Sequence, residues 1–273
     1  MFNIDRNILE TNSRRWNYKE LTELISEAEK RLNEVAVRSS EKNYQSLLID
    51  FFGKAILYSK EILTILYDGY PDGAMSLARE LFENSVTLSF IERHKNDDTL
   101  LERYFDSIEL SSLSDSIKLL LFLRDGASDK KTITDLTDMI DRKKRSHAAI
   151  IEKYTSNSIT VFRKYWWIGD ILEEKDKNFY GILKNTVWDK TIFKHIYNMS
   201  KHNGHNTVNN LNSNDVAISA NPSTEGFQLP LCFTISSFQN ICKIVFINDE
   251  INFSDIDNRL NKITKPMFSE IWK

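Results

Sequence analysis

The chain has 273 residues, 41% hydrophobic and 27% charged, enough to build a substantial core in one large domain or two small ones. With 36 basic and 39 acidic residues its formal charge is −3, which excludes a global basic field, so any nucleic-acid contact must rest on a local patch. Eight Gly and four Pro are too few for the many tight turns of a sandwich or barrel and point to long helices.

Residues 1–16 carry Asp5, Arg6, Glu10, Arg14 and Arg15 and no apolar run of the signal-peptide kind. Leu21, Leu24, Ile25, Ala28, Leu32 and Val35 recur at three- and four-residue steps and predict a first helix over roughly 16–38. A second, roughly 42–67, is apolar nearly all round and is placed at the centre of the fold. Gly69-Tyr70-Pro71-Asp72-Gly73 reads as a turn with Asp72 as N-cap, opening a third helix to about His94. Gly73, Ala74 and Ala78 on that helix permit close contact with a neighbour.

A fourth helix starts at Asn96-Asp97-Asp98 and ends with Gly126 in the stop position. The capping box Thr132-Ile133-Thr134-Asp135 opens a fifth, to about Tyr154. Residues 162–180, rich in aromatics, read as short helices and loops that pack the core, base stacking being the other use of such rings. Thr186-Val187-Trp188-Asp189 predicts a helix that fails near Asn203-Gly204; an Asn-rich loop over 203–214 and an extended piece over 216–219 follow. Residues 229–247 form a strong apolar helix, and Ser254-Asp255-Ile256-Asp257 caps a last one that Pro266 interrupts.

The expected fold is therefore all-α: one helical bundle domain over 42–250, an N-terminal helical extension over 1–41, a C-terminal helix over 251–273, and at most a minor extended segment. Cys232 and Cys242, ten apart on one helix, stand ~15 Å from each other, too far for a disulfide. Two isolated thiols fit a reducing compartment. The greasiest stretch, 119–123, falls short of the ~20 residues of a membrane span. The expectation is a cytoplasmic protein with no membrane contact, and its apolar seams allow a homodimer.

Arg79 and Glu83, four apart on the third helix, make either a structural ion pair or a polar pocket in which Arg79 holds an anion and Glu83 fixes the guanidinium. Three of the five histidines, His195, His202 and His205, fall within eleven residues. His195 and His202 lie ~10 Å apart along a continuous helix, so one metal cannot bind both, and no metal site is assigned. Arg142 and His147 match the Arg-x4-His spacing of metal-independent HEPN ribonucleases, a spacing that chance supplies readily. They sit ~140° apart around a helix. Arg142-Lys143-Lys144-Arg145 is the dense basic run, either a solvated face or a contact for RNA backbone. No phosphate-binding Gly-rich loop, nucleophile elbow, zinc-protease helix or dinucleotide fingerprint is present, so no cofactor is expected.

The run Gly69-x4-Ala74-x2-Leu77-x-Arg79-x3-Glu83 resembles the central signature of the bacterial domain-of-unknown-function 5677 family. Trp166-Trp167 and then Tyr197, Ser200, His202 and His205 agree with it in order, and the similarity spans roughly 45–248. The family places a His about four residues after the Ser, where this chain has Gly204, so His202 and His205 both stand as the equivalent. The resemblance implies an all-helical fold and a polar cluster of Arg79, Glu83, Tyr197, Ser200 and one of these histidines. It supplies no activity. Two readings follow: a ribonuclease-like effector of a toxin or phage-defence module, by analogy with HEPN and abortive-infection proteins, with RNA as substrate; or a non-enzymatic helical module binding a small anion or a partner protein.

Overall fold

The computed structural model describes residues 17–36, 43–155, 164–188, 228–248 and 254–271. Every regular element among them is a helix, as the scarcity of Gly and Pro implied. The contacts divide the chain into two units, one of Met1–Arg93 with Leu183–Lys273 and one of His94–Ile182. The sequence reading made no such division, and its expected boundaries at 41 and 250 lie outside the described residues.

The first unit holds α1 (Tyr18–Ala36), α2 (Tyr44–Tyr67), α3 (Pro71–Arg93), α7 (Gln228–Asn248) and α8 (Ser254–Ile271). α2 packs against α1, α3 and α7, which makes it central as its composition predicted. Leu48, Phe52, Ala55, Ile62 and Leu66 face inward, while Lys54, Leu57, Glu61 and Thr64 form an exposed stripe. Phe52 meets Phe246 of α7 edge to face, ring centroids 5.4 Å apart. α1 buries Leu21, Leu24, Ile25 and Ala28. α8 is tied to it by Arg31–Asp255 at 3.1 Å and Arg259–Glu27 at 3.2 Å. Residues 229–248 are long and apolar enough to cross a membrane, unlike the 119–123 run; 72% of the most apolar stretch is buried inside the protein, so this is a core helix.

The junction between α2 and α3 is built by Gly69. Its φ of 86° is open to glycine, and the bonds Gly69 N to Leu66 O (2.9 Å) and Tyr70 N to Ile65 O (3.0 Å) close α2 in a Schellman stop. Pro71 then takes the first helical position, where its missing N–H costs nothing. Asp72 therefore sits inside the first turn and is not the N-cap expected of it.

The second unit pairs α4 (Asp98–Gly126) with α5 (Lys130–Thr155), followed by 3₁₀ turns at Trp166–Ile171 and Glu174–Asp176; the boundary falls within α6 (Phe179–Lys184). Asp97 caps α4, its carboxylate accepting from Thr99 N and Leu100 N at 3.0 and 3.1 Å. Two expected end signals are corrected. Gly126 is the last helical residue and has no left-handed φ; Ala127, in extended backbone, ends the helix. α5 is opened by Asp129, which accepts from Lys131 N and Thr132 N, so the Thr132–Asp135 box lies already inside the helix. Likewise α8 runs past Pro266 to Ile271, since one proline removes one hydrogen bond and the turns on either side keep theirs. The helix, Asn loop and extended piece expected over 189–219 lie outside the described residues.

Replacing Phe52 by Ala empties a fully buried site at the α2–α7 contact; a loss of about 3–5 kcal/mol is expected from urea denaturation. The Thr99 hydroxyl foremost, and with it the Leu100 amide, the Arg103 charge and the Thr99 amide, hold Asp97 below the usual carboxylate range against the opposing effect of burial. Its folded pKa is depressed, so its contribution is complete above the unfolded value of ~4 and is lost as pH falls from there toward the folded value. Asp97→Asn keeps a capping oxygen without the charge. Its stability should fall less steeply than that of the wild type between pH 5 and 3, as read by thermal midpoints across that range.

Candidate functional site

α3 carries the pair that the sequence singled out. Ala78, Leu81, Phe82, Val86, Leu88 and Phe90 are all buried, so little of this helix faces solvent. One turn apart, Arg79 Nε donates to Glu83 Oε1 at 3.1 Å, with the two side chains 23% and 25% exposed. The pair is neither sealed nor free on the surface. Phe82, between them in sequence, meets Trp188 and Phe233 edge to face at centroid distances of 5.2 and 5.1 Å. The helix that presents the pair is thus braced by rings from two other segments. A planar, permanently charged guanidinium held by a carboxylate on a rigid helix is suited to an anion that approaches from the open quarter.

A second polar group on α3 was not anticipated. Asn240 of α7 donates to Ser85 Oγ at 2.9 Å and to Ser89 Oγ at 2.8 Å, while the Ser89 hydroxyl donates to Ser85 O. This knot fixes α3 against α7 in the core. Its trace in the sequence was faint: two serines four apart in an apolar helix, and one Asn in another.

Tyr197, Ser200, His202 and His205, with His195, lie outside the described residues. Arg142 and His147 are described, and they point to different partners. His147 Nε2 shares a 3.1 Å hydrogen bond with Ser114 Oγ of α4, whereas exposed Arg142 turns back on the Asp138 carbonyl of its own helix. Arg142, Lys144 and Arg145 are exposed and Lys143 is half-buried. The aromatic segment packs: Trp166 lies against Tyr154 and Trp167 against Tyr104, and Arg103 Nε donates to the Trp167 carbonyl at 3.0 Å. Beside it Asp106 accepts from Lys153 and Tyr154 at 2.6 and 2.5 Å, and burial with the Asp106 bond pushes the Tyr154 phenol up to about 12. That cluster clamps α4 to α5 and was also unforeseen.

Both cysteines are free, buried and on α7, as their spacing required. Burial pushes the Cys232 thiol up to about 12 and that of Cys242 well above its ordinary value, so neither supplies a thiolate at neutral pH.

Fold and site together define an all-α protein with an arginine–carboxylate pair set into its central helices. The chain belongs to the family of unknown function DUF5677, whose profile matches residues 45–219, a stretch that includes all but the first residue of α2, and Arg79 and Glu83. The resemblance read from the Gly69-to-Glu83 run is thereby borne out. No curated protein and no solved structure matches the chain.

Arg79→Ala leaves the Glu83 carboxylate partly buried without its guanidinium partner. A loss of roughly 1–3 kcal/mol is expected in chemical denaturation, with Arg79→Lys recovering part of it, since an ammonium keeps the charge and not the planar fork.

Proposed function

We propose that the protein is a cytoplasmic ribonuclease-like effector of a bacterial toxin or phage-defence module. In this reading Arg79 holds the scissile phosphate and offsets the charge that grows on it during attack by the 2′-hydroxyl. His205, or else His202, moves the protons, while Tyr197 and Ser200 position the substrate. The chemistry needs no metal. The observation that supports the reading is the setting of Arg79: its charge is permanent, Glu83 fixes its direction, and 23% of its side chain is exposed. The helical fold adds an analogy to HEPN and abortive-infection proteins, which is a weaker support. Leu119, Phe122 and Leu123, exposed by 58%, 76% and 47% on α4, support a homodimer as its working form.

A second reading, a non-enzymatic helical module that binds a small anion or a partner protein through Arg79, is favoured by two observations. Arg142 and His147 are turned to different groups, and the aromatic segment spends its rings on packing.

Purified protein incubated with single-stranded RNA separates the readings. The first expects cleavage that a chelator leaves intact, that falls on the order of 100-fold or more in whichever of His205→Ala and His202→Ala removes the proton-transfer group, and that falls likewise in Arg79→Ala. A well-folded sample that leaves RNA whole, or cleavage unchanged by all three substitutions, rejects it.

A further inference from the structure

α4 carries an apolar stripe that stays in solvent. α5 lies against one side of the helix, through Asp106 with Tyr154 and Ser114 with His147, and the 3₁₀ turn lies against another, through Arg103 and Tyr104 with Trp167. Of its 29 residues only Leu100 and Leu120 are fully buried. Ile108, Leu119 and Phe122 are exposed by 46%, 58% and 76%, and Ser112 and Asp115 between them are exposed as well. These five follow one another at alternating steps of four and three, which sets them within about 80° on one face, along ~21 Å of helix. That is the spacing of a helix-pairing seam, and an exposed apolar row of this kind marks an interaction surface.

The charges on the stripe say which partner fits. At its midpoint Asp115 and Lys118 form an ion pair of 2.9 Å, their side chains 72% and 76% exposed. The apolar side chains flank that midpoint, Ile108 one heptad before Asp115 and Phe122 one heptad after. A row that is apolar at both ends, with one acid and one base at its centre, is its own complement when reversed. With two copies antiparallel about a two-fold axis at Asp115, Phe122 of each falls opposite Ile108 of the other, and Leu119 opposite Ser112. Each Asp115 then stands beside the partner's Lys118 as well as its own, so two carboxylates and two ammoniums alternate around the axis. A parallel pairing sets like charge on like charge. A lipid surface would strip water from the Asp115–Lys118 pair and return nothing for it.

We propose that α4 is a self-association surface, on which two copies of the chain pair antiparallel through Ile108, Ser112, Asp115, Leu119 and Phe122. The inference rests on the homodimer reading, to which it gives a surface and a direction, and not on RNA cleavage. A single helical stripe lies at the small end of specific interfaces, so a dissociation constant on the order of micromolar is expected.

Sedimentation velocity of the full chain, from about 1 to 200 µM, tests it. A monomer–dimer equilibrium is expected. Phe122→Asp and Leu119→Asp should each weaken it about tenfold or more while leaving the melting temperature of the monomer unchanged, because both side chains already lie mostly in solvent. Asp115→Lys and Lys118→Asp should each be monomeric, and an equimolar mixture of the two should dimerise again, since an all-basic centre then meets an all-acidic one. Direction is read by a short bismaleimide, because both native cysteines are buried. Ile108→Cys and Phe122→Cys chains, mixed, should cross-link to each other and not to themselves. Monomeric wild type over the whole range overturns the proposal, even if that monomer cleaves RNA or binds anionic lipid vesicles. So does a dimer that Phe122→Asp leaves intact, a charge-swapped mixture that stays monomeric, or Phe122→Cys chains that cross-link to themselves.

Discussion

The larger unit depends on one constraint: α3 enters the interior bearing polar groups that must all be answered there. A helix buried among α2 and α7 cannot leave Ser85 and Ser89 to water, and it keeps Arg79 and Glu83 largely covered. Each is answered in kind. The serines meet Asn240, Arg79 meets Glu83, and the apolar remainder locks through Phe82 against Phe233 and Trp188. Apolar burial drives such an assembly without direction; the hydrogen bonds select the rotation and height at which α3 and α7 meet, since any other register strands several buried groups. The candidate site inherits its rigidity from that choice. Arg79 is about one and two-thirds turns before Ser85, on a helix that cannot rotate without breaking the knot.

The second unit solves a different problem. α4 has only Leu100 and Leu120 fully inside, so its pairing with α5 leans on polar clamps. Asp106 gathers Lys153 and Tyr154, Lys153 also reaches Glu102, and His147 meets Ser114. The 3₁₀ turn carrying Trp166 and Trp167 is fixed to α4 by Arg103. Gly169, with a φ of 61°, lets the chain pass there, because a Cβ would stand 2.6 Å from the Arg103 guanidinium. The basic run on α5 is left on an exposed face, consistent with the amphipathic pattern of that helix.

Helix positions were legible because burial writes a period. Leu21, Leu24, Ile25 and Ala28 announced α1, and the unbroken apolar run from Leu47 to Leu66 announced the central α2. Helix ends were less legible. Asp72, Gly126, Thr132 and Pro266 all carry strong local preferences, and each was outweighed: Pro71 fits the first turn better, Gly126 stays helical and Ala127 ends α4, Asp129 reaches the free amides of α5 first, and Pro266 costs one bond in a helix that keeps its others. Of the site, Arg79 and Glu83 were readable from their spacing alone, because four residues along a helix bring side chains face to face.

The sequence by itself determined the all-α class, the main helices, the free cysteines and the Arg79–Glu83 pair. These are consequences of composition and of contacts within a few residues, where the helical repeat fixes geometry in advance. Only the tertiary structure decided that Asn240 meets Ser85 and Ser89, that His147 meets Ser114, that the chain divides at Arg93 and Leu183, and that Tyr18 and Lys60 share a cavity. Such pairings join residues tens to more than a hundred positions apart, and no periodicity encodes them. They are settled when helices pack, by which rotation buries the most apolar surface while leaving the fewest polar groups unanswered.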